Sequence, residues 1–104
     1  MPTLDLGPVH LERVQTLLRE HAPWAEVWAY GSRVNGDSQE ASDLDLVLRD
    51  PQNLSTPCSR LPELQTLFAE SELPILIDIV DWARIPEHFR KEIEKAHFIV
   101  QPVP

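Results

Sequence analysis

Asp43-Leu44-Asp45 puts two carboxylates two residues apart. On an extended chain, residues i and i+2 project from one face, roughly 6.5–7 Å apart. Two acids that close repel each other, and the flanking leucines bring them near a core. Bound divalent cations would relieve the repulsion. A strand edge with its polar face in water would explain the pair equally well when it is taken alone. Asp78 lies inside Ile75-Leu76-Ile77-Asp78-Ile79-Val80, where an ionised carboxylate is costly to bury unpaired. Alternation sets it on the face of Leu76 and Val80, so it needs a cleft, an exposed face or an arginine partner such as Arg33 or Arg49. Asp81 competes for the role but falls on the opposite face, beside the strand end, and reads as a turn or helix-capping residue. Tyr30-Gly31-Ser32-Arg33 joins a strand directly to a small-residue pair. Glycine lets a phosphate approach the backbone, and the following amides and the Ser32 hydroxyl can donate to it. By itself that is also how an ordinary turn looks.

These residues need a sheet to carry them. Gly7-Pro8 starts a helix, with Leu11, Val14, Leu17 and Leu18 at helical spacing and His21-Ala22-Pro23 as its stop. Residues 24–30 (WAEVWAY) read as a strand, 34–42 as an exposed loop, and 43–48 (DLDLVL) as a half-buried strand. A turn at 50–53 leads to a second helix marked by Leu61, Leu64, Leu67 and Phe68, with Pro62 held to its first turn. Residues 73–82 (LPILIDIVDW) form the strongest strand signal. Pro86 opens a third helix with Phe89, Ile93 and Ala96 on one face, and 97–100 read as a short last strand. The order α-β-loop-β-α-β-α-β predicts one α/β domain over residues 1–104, with helices packed on a mixed sheet.

Composition narrows the partners. Acidic residues outnumber Lys and Arg 17 to 9, a formal net charge of −8. Nucleic-acid binding draws on clustered basic residues, and here only Arg90-Lys91 are adjacent, so a polynucleotide partner is not expected. Cys58 is the sole cysteine, which excludes an intrachain disulfide and a cysteine zinc site. His10, His21, His88 and His97 lack metal-ligand spacing. Trp24, Trp28 and Trp82 read as core or interface rather than a stacking platform. Met1–His10 does not read as a signal peptide, and no apolar run approaches the roughly 20 residues of a membrane span. The expectation is a cytoplasmic protein.

Taken together, the motifs are more specific than any one of them. A strand ending in Gly31-Ser32, ten intervening residues, an Asp43-x-Asp45 strand and a later strand bearing Asp78 resemble the DNA polymerase β-like nucleotidyltransferase superfamily. The segments are YGSRVNGDSQEASDLDLVL (30–48) and LPILIDIVDW (73–82). The short chain and the G-S-R-x-x-G form of Gly31 to Gly36 are similar to the minimal nucleotidyltransferases. These single-domain proteins are commonly encoded beside a helical HEPN-family protein. The resemblance implies two Mg²⁺ ions held by Asp43, Asp45 and Asp78, which would be the catalytic acids. It implies a triphosphate cradled by Gly31 and Ser32, with Arg33 adding charge. It implies transfer of a nucleoside monophosphate, AMP from ATP, to a hydroxyl of the HEPN-type partner in an antitoxin-like role. Two rival readings are a non-catalytic antitoxin that neutralises a helical partner by binding, and an interaction domain whose acids are solvated surface.

Overall fold

The computed structural model describes residues 3–36 and 42–104. The chain runs α1 (Pro8–His21), β1 (Glu26–Tyr30), α2 (Ser32–Asn35), β2 (Leu44–Arg49), α3 (Leu61–Ala69), β3 (Ile77–Asp81), a 3₁₀ turn (Trp82–Arg84), α4 (Glu87–Lys95) and β4 (Phe98–Gln101). The strands form one mixed sheet in the order β3-β2-β1-β4. β1 is antiparallel to both β2 and β4, while β2 and β3 run parallel and are joined through α3.

Alternation along the strands splits the core in two. Leu44, Leu46 and Leu48 of β2, with Val27 and Ala29 of β1 and Ile79 of β3, face Val14, Leu17 and Leu18 of α1 and Leu61, Leu64 and Phe68 of α3. The opposite face carries Trp28, Tyr30, Val47 and Trp82, covered by Ile93, Phe89 and Ile85 from α4 and the segment before it. The three longer helices thus lie on both faces, two against one.

Pro8 stands at the start of α1 and Pro62 at the start of α3, where their missing N–H groups would have had no acceptor. Three local expectations give way. The strand expected from Leu73 begins only at Ile77, because pairing with β2 starts at Leu44–Ile77 and Pro74 can donate no ladder bond. The strand expected from Trp24 begins at Glu26, after a turn. The front of the expected loop 34–42 is instead the end of a short helix, α2, which Gly36 closes in the left-handed conformation at φ 88°. Residues 37–41 of that loop lie outside the described residues. No helix among the described residues is long and apolar enough to cross a membrane.

Candidate active site

The face under α4 ends in a row of side chains drawn from three strands. Antiparallel register sets Tyr30 opposite Asp45, and parallel register sets Asp45 beside Asp78. Strand pleating then turns all three the same way. Asp43 precedes β2 by one residue and is exposed, as is Asp78, while Asp45 is half-buried between them. The Asp45 carboxyl is pushed above the usual carboxylate range, first by burial and then by the charges of Asp78 and Asp43. The Tyr30 phenol is also pushed up, by burial and by the same two neighbours Asp45 and Asp78. A patch this unfavourable to negative charge is suited to a cation.

Among the described residues, no group of three or more His, Cys, Asp or Glu side chains is placed to hold a metal ion. Asp45 and Asp78 are instead paired across β2 and β3, with Asp43 near enough for its charge to act on Asp45. That fits magnesium, which is commonly held by one or two carboxylates with water and substrate phosphate completing its shell.

Gly31 turns the chain from β1 into α2 at φ 79°, ψ −154°, a region essentially reserved for glycine. A Cβ there would meet Asp45 Oδ2 at 2.5 Å, so the bare backbone is what lets the turn touch the acids. Gly31 O accepts from Val34 N and Asn35 N at 3.0 and 3.1 Å, which starts the α2 turn. The first amides of such a turn have no intrahelical acceptor. Ser32, half-buried, stands at this opening.

Arg33, expected to add charge at the phosphates, is held by main-chain carbonyls. It is 6% exposed, and its Nε donates to Ser42 O at 3.0 Å and its Nη1 to Asp5 O at 2.7 Å. Asp5 N in turn donates to Arg33 O. The side chain therefore ties the Gly-Ser turn to the residue before Asp43 and to the segment before α1. Arg49, the other partner considered for Asp78, pairs with Glu26 and stacks over Trp28 and Trp82. Asp81 is 3% exposed and wholly engaged: its carboxylate accepts from Cys58 N and Ala83 N and pairs with Arg84. It caps the 3₁₀ turn, away from the acid row.

Tyr30 was readable only as the last residue of a strand. Its place beside the acids depends on the β1–β2 register, which no single segment of the sequence fixes; its local signal is that it immediately precedes Gly31. A groove of about 360 Å³ opens on its other side, lined by Tyr30, Gly31, Asn35 and the α4 residues Phe89, Glu92 and Ile93, with Lys95 and Ala96 beyond.

Comparison with known proteins agrees with this geometry. Residues 12–101 match the family described as polymerase beta, nucleotidyltransferase. The chain is 38% identical over 98 residues to the Probable protein adenylyltransferase MntA of Haemophilus influenzae (strain ATCC 51907 / DSM 11121 / KW20 / Rd), covering 94% of this chain and 84% of that one. Its fold is similar to that in a crystal structure of a toxin-antitoxin with AMP-PNP, at a TM-score of 0.71 and 19% identity, over 88% of this chain and 73% of the other. With the match spanning nearly all of the sheet and its helices, the chain belongs to the polymerase beta nucleotidyltransferase family.

Proposed function

We propose that the protein transfers AMP from ATP to a hydroxyl of a partner protein, in an antitoxin-like role towards a helical, HEPN-type toxin. The observation that carries the reading is the contact of Gly31 with Asp45, which joins a glycine turn open to phosphate to the paired Asp45 and Asp78, with Asp43 just before the same strand. The MntA relative is described as a probable protein adenylyltransferase, which supports an adenine nucleotide, and the similar structure is a toxin-antitoxin with AMP-PNP, which supports the setting.

In this reading Asp43, Asp45 and Asp78 hold two Mg²⁺ ions. Once bound, these would screen the acids from one another and supply positive charge against the triphosphate and the attacking oxygen. The Gly31 and Ser32 backbone amides and the Ser32 hydroxyl receive the β- and γ-phosphates. Arg33 keeps that turn and Asp43 in fixed relation and adds its charge to that end of the site. Asp78, the exposed end of the row, takes the proton of the acceptor hydroxyl. The acceptor oxygen then bonds to the α-phosphorus as its bond to the bridging oxygen breaks, and pyrophosphate leaves. Positioning and electrostatics do the chemistry, as in phosphoryl transfer generally.

The test is ATP binding with and without Mg²⁺ or Mn²⁺, together with pyrophosphate release in the presence of the protein encoded beside this chain. Metal-dependent binding, and release that vanishes in Asp43→Asn and Asp45→Asn, are expected. Near-normal release in either variant overturns the two-metal assignment.

A further inference from the structure

The acid row ends at an edge of the sheet. β3 is an outer strand, and no strand among the described residues pairs with its far side. Leu44 N donates to Leu76 O at 2.9 Å, so the Leu76 carbonyl points at β2. Backbone groups alternate sides along a strand, which turns those of Ile77 and Ile79 outward. Gln65 Nε2, reaching round from α3, donates to Ile79 O at 3.2 Å and so occupies one of them. At the other end Pro74 has no N–H to offer. Between these two stops lie the Ile77 N–H and C=O and the Ile79 N–H, with Asp78 at the centre of the stretch. An unpaired edge of this kind is a template for another chain. The side chains mark the same place. Leu76 shares the face of Asp78 by alternation and is 70% exposed, while Ile77 and Ile79 turn to the leucine core. From Leu61 to Ala83 the chain has no Lys, Arg or His, but has Glu63, Glu70, Glu72, Asp78 and Asp81. Glu63 and Asp81 pair with Arg60 and Arg84, whereas Glu70 and Glu72 stand exposed in the approach to β3.

We infer that an extended segment of the partner protein lies along the outer edge of β3 as an added strand, with its accepting hydroxyl opposite Asp78 and an apolar residue two positions away against Leu76. Basic residues flank that pair and face Glu70 and Glu72, whose charge the metal ions at the acid row leave in place. The inference rests on the transfer reading above and deepens it by naming the surface that presents the acceptor. Main-chain bonds hold such a segment, and its alternate side chains select it. Gln65 and Pro74 confine the pairing, and a slip of one residue would turn the hydroxyl to the wrong face.

AMP transfer to the partner encoded beside this chain is followed by intact mass in ATP and Mg²⁺ as the partner concentration is varied. The variants are Leu76→Ser, Ile77→Pro, Glu72→Lys and Ile99→Ser. Ile99 is exposed on β4, the opposite edge of the sheet, and its variant is the control. Leu76→Ser should raise the KM for the partner by about tenfold, the order of one lost leucine burial. Its kcat and its binding of ATP in Mg²⁺ should match wild type. Ile77→Pro deletes an outward N–H that makes no ladder bond, so it should act in the same way. Thermal melting checks its fold, and if it unfolds, Leu76→Ser decides alone. Glu72→Lys should also raise the KM, and by less at high salt. A wild-type KM in Leu76→Ser overturns the inference, as does an equal rise in Ile99→Ser or weakened ATP binding in Leu76→Ser. A wild type that binds ATP yet never labels the partner defeats the transfer reading itself, and the edge assignment falls with it.

Discussion

Gly31 and Asp45 are a pair that neither residue type announces alone. The glycine is required twice, by a backbone conformation closed to other residues and by a carboxylate 2.5 Å from where a Cβ would stand. Gly31→Ala should therefore abolish turnover and cost roughly 1–3 kcal/mol of stability, the range for a side chain held in such a conformation. Urea unfolding alongside a turnover assay checks both; an active, undestabilised variant would mean the turn can move away from the acids. Asp45 has the opposite character, since it is costly to the metal-free fold. Its carboxyl is raised above the ordinary 3.8, so the folded state holds the proton more tightly than the unfolded one. Stability from this group is then greatest when it is protonated and falls as pH rises through the raised value. Asp45→Asn should consequently lose turnover yet melt higher than wild type at neutral pH in chelator. Like charges on adjacent strands cost on the order of 0.2–1 kcal/mol, which for a domain of this size shifts Tm by about 1–6 °C. The difference should narrow as pH falls toward 4 and should reverse when Mg²⁺ and ATP are added. A variant no more stable than wild type in chelator would show that the acids do not strain one another.

Elements explain which parts of this molecule were legible in its sequence. Helices α1, α3 and α4 were, because proline at a first turn and apolar residues at helical spacing are local signals. β2 was too, since Asp-Leu-Asp-Leu alternates with the pleat that separates the leucine core from the acids. α2 was not: four residues carry no periodicity, and the turn exists because Gly31 and Gly36 adopt positive φ, which composition does not reveal. The run 73–76 looked like strand by propensity, but β2 offers no partner before Leu44, so pairing decides where β3 starts. The row of Tyr30, Asp45 and Asp78 depends on register between three strands and lies beyond any single-segment reading. β3 also separates two aspartates by face, and that separation can be tested. Asp78 is exposed on the acid row, while Asp81 is buried and holds Cys58 N, Ala83 N and Arg84 at the mouth of the 3₁₀ turn. Asp78→Asn should lose turnover with near-normal melting. Asp81→Asn should do the reverse, losing about 1–3 kcal/mol as a buried acceptor is weakened, with turnover per folded molecule retained. Turnover and denaturant midpoints of the two variants, side by side, decide it. A dead but stable Asp81→Asn would show that the strand faces are misassigned.

At the scale of the whole molecule the question is what the chain can act upon. The sheet, its helices and the loops between them take up the described residues, among which no second lobe closes over the acid row. A small acceptor would have to be enclosed by something else, and a polynucleotide would meet a net charge of −8. A protein acceptor removes both difficulties, because surfaces far from the reacting hydroxyl can position it. A tyrosine on a helical partner is the expected acceptor, its phenol reaching the exposed Asp78 end of the row from solvent. Intact-mass spectrometry of the purified pair, incubated with ATP and Mg²⁺, should show the partner heavier by one or more AMP units. Asp45→Asn should abolish the gain. Ser32→Ala should reduce it less, because the backbone donors of the turn remain. The partner's own activity should fall in step with the mass gain, and binding without labelling should leave that activity largely intact. If the partner is silenced on mixing while its mass stays unchanged with every nucleotide tried, neutralisation is by complex formation, and the acids serve no transfer.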